Sequence, residues 1–157
     1  MSRTAERIER LGSPQIKLAD LQIWVHGRQF PDHDDYWDGN WLRVTAHCGG
    51  QGADVWTDGP IIHLSEVKTW YDALVKMNQT VSGEATLGGL WEPNLKVSMA
   101  MDRLGHIGID VEITPDHMNQ RHSFHFEVDQ TFLIPLVSQC EEVLSEYSIR
   151  QEPRVRR

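Results

Sequence analysis

At 157 residues, 39% hydrophobic and 24% charged, the chain has the size and composition of one globular domain with a real core, which excludes a disordered or fibrous protein. Its net charge of −8 is uneven, because residues 1–12 carry +1 and residues 149–157 carry +3, leaving −12 on the stretch between them. Such an acidic body disfavours nucleic acid as a partner, since phosphate is bound by Lys and Arg, and suits either plain solubility or a basic protein partner.

No stretch approaches the roughly 20 apolar residues that span a bilayer, so no membrane partner is expected. The charged start, Met1 to Arg10, lacks the apolar core of a secretory signal, and the expected location is the cytoplasm. Cys48 and Cys140 are too few for a disulfide framework. Each sits in an apolar pattern, which predicts two buried free thiols.

One domain over residues 1–157 is expected: a polar lead over 1–14, a folded body over 15–148 and a basic tail over 149–157 that is loose from Gln151 onward. The lead ends in Gly12-Ser13-Pro14 and reads as a short frayed helix or disorder. Leu21, Ile23 and Val25 then alternate with polar or aromatic neighbours, as a strand does. An aromatic and acidic loop follows. Leu42, Val44, Ala46 and Cys48 form the inward face of the next strand, with Trp41, Arg43, Thr45 and His47 on the other. Gly49 to Gly52 is a hairpin turn, and the return strand over Ala53 to Thr57 is interrupted at Asp58-Gly59-Pro60 before Ile61, Ile62 and Leu64.

Ser65 is the predicted N-cap of a first helix, with Glu66 complementing its dipole. Val67, Trp70, Tyr71, Leu74 and Val75 give that helix one apolar face, ending near Asn78 or Gln79. Four strands follow: Glu84 to Trp91 with a kink at Gly88-Gly89, Leu95 to Met101, His106 to Thr114, and Arg121 to Val128. Their inward residues include Ile107, Ile109, Val111, Ile113, Phe124, Phe126 and Val128. A closing helix starts near Phe132, since Pro135 fits only a first turn, and its stripe runs from Leu133 to Tyr147. The order βββ-α-ββββ-α predicts a β-rich α+β fold: a curved antiparallel sheet of about seven strands, barrel- or sandwich-like, with two helices.

The loop from Phe30 to Leu42 holds four aromatics and four aspartates in thirteen residues. Calcium is one reading, but a register from Asp34 puts Tyr36 and Thr45 where an EF-hand needs oxygen ligands. The scaffold reading is that aspartates satisfy backbone N–H groups in successive turns while Tyr36, Trp37 and Trp41 clamp the loop. Elsewhere no zinc spacing, nucleophile elbow or phosphate loop occurs. His47 and Cys48, as strand neighbours, face opposite ways. Neither a metal, a cofactor nor a catalytic set is expected. Asp110, Glu112 and Glu127 on the outer face of the last strands, with Glu141, Glu142 and Glu146 on the closing helix, are the candidates for contact with a basic partner.

Phe30-Pro31, followed by Asp35-Tyr36-Trp37-Asp38-Gly39-Asn40-Trp41-Leu42, resembles the signature of the WapI-type bacterial immunity proteins, which carry a similar run after an opening strand. Glu92-Pro93-Asn94-Leu95 is similar to their second motif, at a turn between strands. The resemblance spans roughly residues 16–147. It implies a small cytoplasmic protein that binds and neutralises the toxic domain of a contact-delivered toxin, typically an RNase for this type, by steric and electrostatic occlusion. The alternative reading is a β-barrel-like module with a structural role or with aromatics lining a small-ligand pocket.

Overall fold

A computed structural model describes residues 2–151. Eight strands form two separate antiparallel sheets, each with its strands in chain order. The first contains β1 (Ile16–Leu18), β2 (Leu21–Arg28), β3 (Trp41–Gly50) and β4 (Ala53–His63); the second contains β5 (Gly83–Gly88), β6 (Leu95–Met101), β7 (His106–Ile113) and β8 (Ser123–Asp129). Four helices accompany them: α1 (Arg3–Leu11), α2 (Tyr36–Gly39), α3 (Leu64–Thr80) and α4 (Leu133–Glu146). The fold is α+β as expected, but with eight strands rather than seven and four helices rather than two. It is not a closed barrel, because α3 and not a strand pairing joins the two sheets.

Alternation builds the inner faces. Leu21, Ile23, Leu42, Val44, Ala46 and Cys48 of the first sheet share one core with Leu87, Val97, Ile107, Ile109, Val111 and Ile113 of the second. α3 adds Val67, Trp70, Leu74 and Met77, and α4 adds Leu133, Leu136, Cys140 and Val143. Both cysteines are free and buried. Burial pushes each thiol up to about 12. Phe124, Phe126 and Val128 face inward but stay half-buried, because β8 is an edge strand with β7 as its one neighbour.

The extra elements are ones that periodicity cannot register. β1 is three residues long, held by pairing of Ile16 with Ile23 and Leu18 with Leu21. α2 is a single turn inside the aromatic loop. α1 lies in the supposedly frayed lead and is docked. Its Arg7 guanidinium stands 4.0 Å from the Trp56 ring centre and pairs with Asp58 at 2.9 Å. Trp24, on the nominally outer face of β2, stacks on Trp56 and donates its indole N–H to the Gly12 carbonyl at 2.9 Å. A tryptophan on the outer face of a strand therefore marks where a helix covers the sheet.

Other boundaries moved by a residue or two. Asp58-Gly59-Pro60, readable from the sequence as a turn or a bulge, is an irregularity of the bulge kind within β4, where the register against β3 shifts between Leu42 and Val44. Pro60 is tolerated there because β4 is also an edge strand. The N-cap of α3 is His63, not Ser65, and Glu66 returns a bond to the His63 N–H at 3.0 Å to complete a capping box. α4 starts at Leu133, one residue later than expected, after a tight turn over Gln130–Phe132 that Asp129 caps. At the start of the basic tail, Ile149 packs against the core and Arg150 is bonded to the aromatic loop; of the stretch expected to be loose, residues 152–157 lie outside the described residues.

Candidate functional site

The aromatic loop is held by its polar atoms. Asp35 caps α2 by accepting the Asp38 N–H at 2.8 Å. Asn40 is fully buried. Its Nδ2 donates to the carbonyls of Tyr36 at 2.6 Å and Arg150 at 2.7 Å, while its Oδ1 accepts from the Arg150 N–H at 2.9 Å. Arg28 donates to the Gly39 carbonyl at 2.7 Å and to the Ser148 carbonyl, and Arg150 donates to the His33 carbonyl. At Gly39 a Cβ would sit 2.3 Å from the His33 oxygen, so the chain folds back there too tightly for any side chain. The scaffold reading of the loop thus fits Asp35 and Asn40. Phe30, Pro31, Asp32 and Asp34 are exposed.

The aromatics do more than clamp. Trp41 is buried, whereas Trp37 is 42% exposed. Both surround His63 together with Trp91, at ring-centre distances of 5.1, 5.2 and 5.4 Å, and Trp37 meets Trp91 edge to face at 5.0 Å. His63 is fully buried and uses both ring nitrogens, towards the Ser65 hydroxyl at 2.7 Å and the Trp37 carbonyl at 3.0 Å. Burial holds its pKa below the ordinary 6.5, against the opposing pull of the Trp37 and Tyr36 carbonyls. A neutral imidazole is therefore the peg on which the first motif and the turn after β5 both hang.

That turn carries the second motif. Asn94 donates from its side chain to the Thr114 carbonyl at 3.0 Å, tying the start of β6 to the end of β7. Glu92 is half-buried and Pro93 exposed. Gly88 and Gly89 kink the chain as expected, both at positive φ, and a Cβ on Gly88 would lie 2.3 Å from the Leu95 oxygen. Beyond them Leu90 is 69% and Trp91 42% exposed. Between this turn and the start of α3 lies a cleft of about 350 Å³ whose walls include Ser65, Glu66, Thr69, Leu90, Trp91 and Lys96. Glu66 is 6% exposed, and among the described residues its Oε2 has no hydrogen-bond partner. Burial raises its pKa above the ordinary 4.5, opposed by the His63 N–H that Oε1 accepts and by the Leu90 N–H, which points at the carboxylate from outside hydrogen-bond geometry, while the Glu92 charge adds to the rise.

The predicted partner-binding residues fall into two places. Asp110, Glu112 and Glu127 all project from the outer face of the second sheet and are exposed. His125 sits among them, with Nδ1 2.8 Å from Asp110 and Nε2 3.6 Å from Glu127. The hydrogen bond to Asp110, reinforced by Glu127, raises the pKa of this exposed imidazole. Glu112 pairs across the ladder with Lys96 of the cleft wall. Glu141 instead accepts from the Tyr71 hydroxyl of α3 at 2.7 Å. Glu142 borders a shallow depression beside Ser13 and Gln15. One acidic grouping of sheet and helix charges does not form.

One further cluster was not in the sequence reading. His33, Asp35 and Asp38 bring one donor atom each within 4.8 Å of one another at the surface of the aromatic loop, using His33 where the calcium register had counted Asp34. They could ligate a cation, although Asp35 already caps α2. The sequence reading also missed Glu66, Leu90 and Trp91 as surface features. Leu-Trp between Gly88-Gly89 and Glu92-Pro93-Asn94 was the available signal, because a turn has no inner face in which to bury two such side chains.

The fold and this surface define a two-sheet α+β module in which the first sequence motif and the turn leading into the second meet around a buried histidine. The chain belongs to the immunity protein WapI-like family, whose sequence model matches residues 12–148. Among solved structures, a chain from "CdiA-CT/CdiI toxin and immunity complex from Enterobacter cloacae" is similar at 7% identity and a TM-score of 0.40, over 65% of this chain and 89% of that one. No curated protein matches. Among the described residues, no helix is long and apolar enough to cross a membrane.

Proposed function

We propose that this chain is an immunity protein that binds the toxic domain of a bacterial toxin one to one and blocks its active site. The observation that carries this reading is the family match over residues 12–148. The toxin domain is a basic nuclease, an RNase in the type the chain resembles. Its cationic active-site surface is met by Asp110, Glu112 and Glu127, whose carboxylates stand in for substrate phosphates. Exposed charges of this kind act mainly on encounter rate and register. The uneven net charge, concentrated as −12 between the two tails, supports a basic partner. The function is exerted in the cytoplasm, where an incoming toxin would act.

Co-expression with the toxin domain encoded beside this gene is the test. Wild type is expected to rescue growth and to form a tight one-to-one complex. Reversing charge in the triple variant Asp110→Lys, Glu112→Lys and Glu127→Lys is expected to slow association by about tenfold or more at low salt, with less effect at high salt. A salt-independent association rate in wild type would remove the electrostatic part of the reading. Failure to bind any neighbouring toxin domain would remove the whole of it.

A further inference from the structure

We propose that the cleft beside Trp91 is the specificity pocket of this surface and receives an arginine side chain of the toxin, whose guanidinium meets Glu66 while its stem lies along the indole of Trp91. This rests on the immunity reading and names a contact that the acidic sheet face does not include.

Three observations converge on it. First, Glu66 is a carboxylate left half-used: Oε1 accepts the His63 N–H at 3.0 Å, while Oε2 is buried with no partner. A buried acceptor in this state destabilises the free protein, and a donor brought by a partner relieves it. Second, the wall beside it is an exposed tryptophan in the interface-prone form, held in place by edge-to-face contact with Trp37 and backed by the more exposed Leu90. A flat cation stacks on such a ring, and guanidinium does so better than ammonium while offering several N–H donors in one plane. Third, the cleft is continuous with the acidic outer sheet. Gly89 and Lys96 belong both to its wall and to the next depression, which contains Glu112.

Charge decides the class of occupant. Glu66 faces the half-buried Glu92, whose charge it feels. Among the described residues, the one cation in the wall is Lys96, an exposed residue whose stem is packed over Gly89 so closely that a Cβ there would lie 2.9 Å from its Cγ and Cδ. Lys96 stands next to Glu112 across the ladder, so a carboxylate of the outer sheet neighbours it in register. A cationic guest is therefore matched to Glu66. An anionic guest would have to use Lys96 and leave Glu66 facing like charge.

The experiment is a calorimetric titration of the neighbouring toxin domain with wild type and with Glu66→Gln, Trp91→Ala and Lys96→Gln. Gln keeps an acceptor for the His63 N–H, so the capping box survives, and the melting temperature is expected to stay within about 2 °C of wild type. Glu66→Gln is expected to weaken binding about 30-fold or more, as loss of one partner of a buried charge pair does. Trp91→Ala should cost about tenfold or more, and Lys96→Gln, which removes a positive charge from the wall, should tighten binding. Toxin binding by wild type together with unchanged affinity in Glu66→Gln overturns the pocket and leaves the immunity reading standing. A larger loss in Lys96→Gln than in Glu66→Gln overturns it in favour of an anionic guest. If wild type binds no neighbouring toxin domain, the immunity reading fails and the pocket's occupant fails with it. As a second readout, N-acetyl-arginine amide is expected to shift the Trp91 indole N–H resonance in wild type and not in Glu66→Gln. Equal shifts in both proteins would overturn the assignment of Glu66.

Discussion

The loop around α2, with its four aromatics, and the turn after β5, with Trp91, both carry family-motif residues and both pack on His63, yet they are finished differently. In the loop, Asn40 spends its amide on the Tyr36 and Arg150 backbones, and Arg28 and Arg150 take up the carbonyls that remain. In the turn, Leu90 and Trp91 stay at the surface, and the carboxylate behind them keeps one oxygen without a partner. A saturated polar network stabilises a fold. An unsaturated one beside exposed apolar area is what a binding surface needs, because its interactions are completed by something else. The first motif therefore acts as a brace, while the residues just ahead of the second motif form a face.

Substitution can separate the two. The largest effect on stability is expected from Asn40→Ala, which strands several buried backbone groups at once and should cost about 3 kcal/mol in chemical denaturation. Trp91→Ala should cost only about 1 kcal/mol, since the ring is half in water and loses mainly its edge contacts, while toxin binding falls. If Trp91→Ala destabilised the protein as much as Asn40→Ala, the turn would be a second brace and the distinction would collapse.

Acid sharpens the same contrast through two histidines. His63 has its pKa held below the ordinary 6.5 by burial, so its contribution to stability is present above that value and is lost as pH falls through its lower folded pKa. His125, raised by Asp110 and Glu127, has the opposite sign: its contribution is present below the ordinary value and is lost as pH rises through the raised one. His125 is fully exposed, so the slope of stability against pH below about pH 6.5 should follow His63. Denaturation midpoints measured across that range are expected to fall with acidification in wild type and to flatten in His63→Asn, which keeps an N-cap side chain. A slope unchanged in His63→Asn would mean that another buried group carries it. The smallest effect is expected for His125→Gln, which should leave the acid limb of that curve where it was.

Much of the frame follows from local pattern. The inward residues of β6 and β7, the stripes of α3 and α4, the kink at Gly88-Gly89 and the two buried thiols all come from period-two or helical spacing and from what glycine and proline permit. The motif in the loop was enough to indicate the family. Short pieces escaped: β1 has three residues and α2 one turn, fewer than a period needs to be seen. A short helix was one reading of the lead, but the docking of α1 escaped because it depends on Arg7 finding Trp56 and Asp58 some fifty residues away.

The candidate site was less accessible for the same reason. Which side chains face in and which face out along most elements follows from local spacing, because that depends on neighbours within a few residues. It took the packed fold to bring Trp37, Trp41 and Trp91 around His63, to tie Asn40 to Arg150 across 110 positions, and to set Glu141 against the Tyr71 hydroxyl of α3. The packed fold also decided that a capping glutamate ends with one oxygen unpaired beside an exposed tryptophan. Those arrangements come from which strands pair and where α3 joins the two sheets, and no local spacing encodes them.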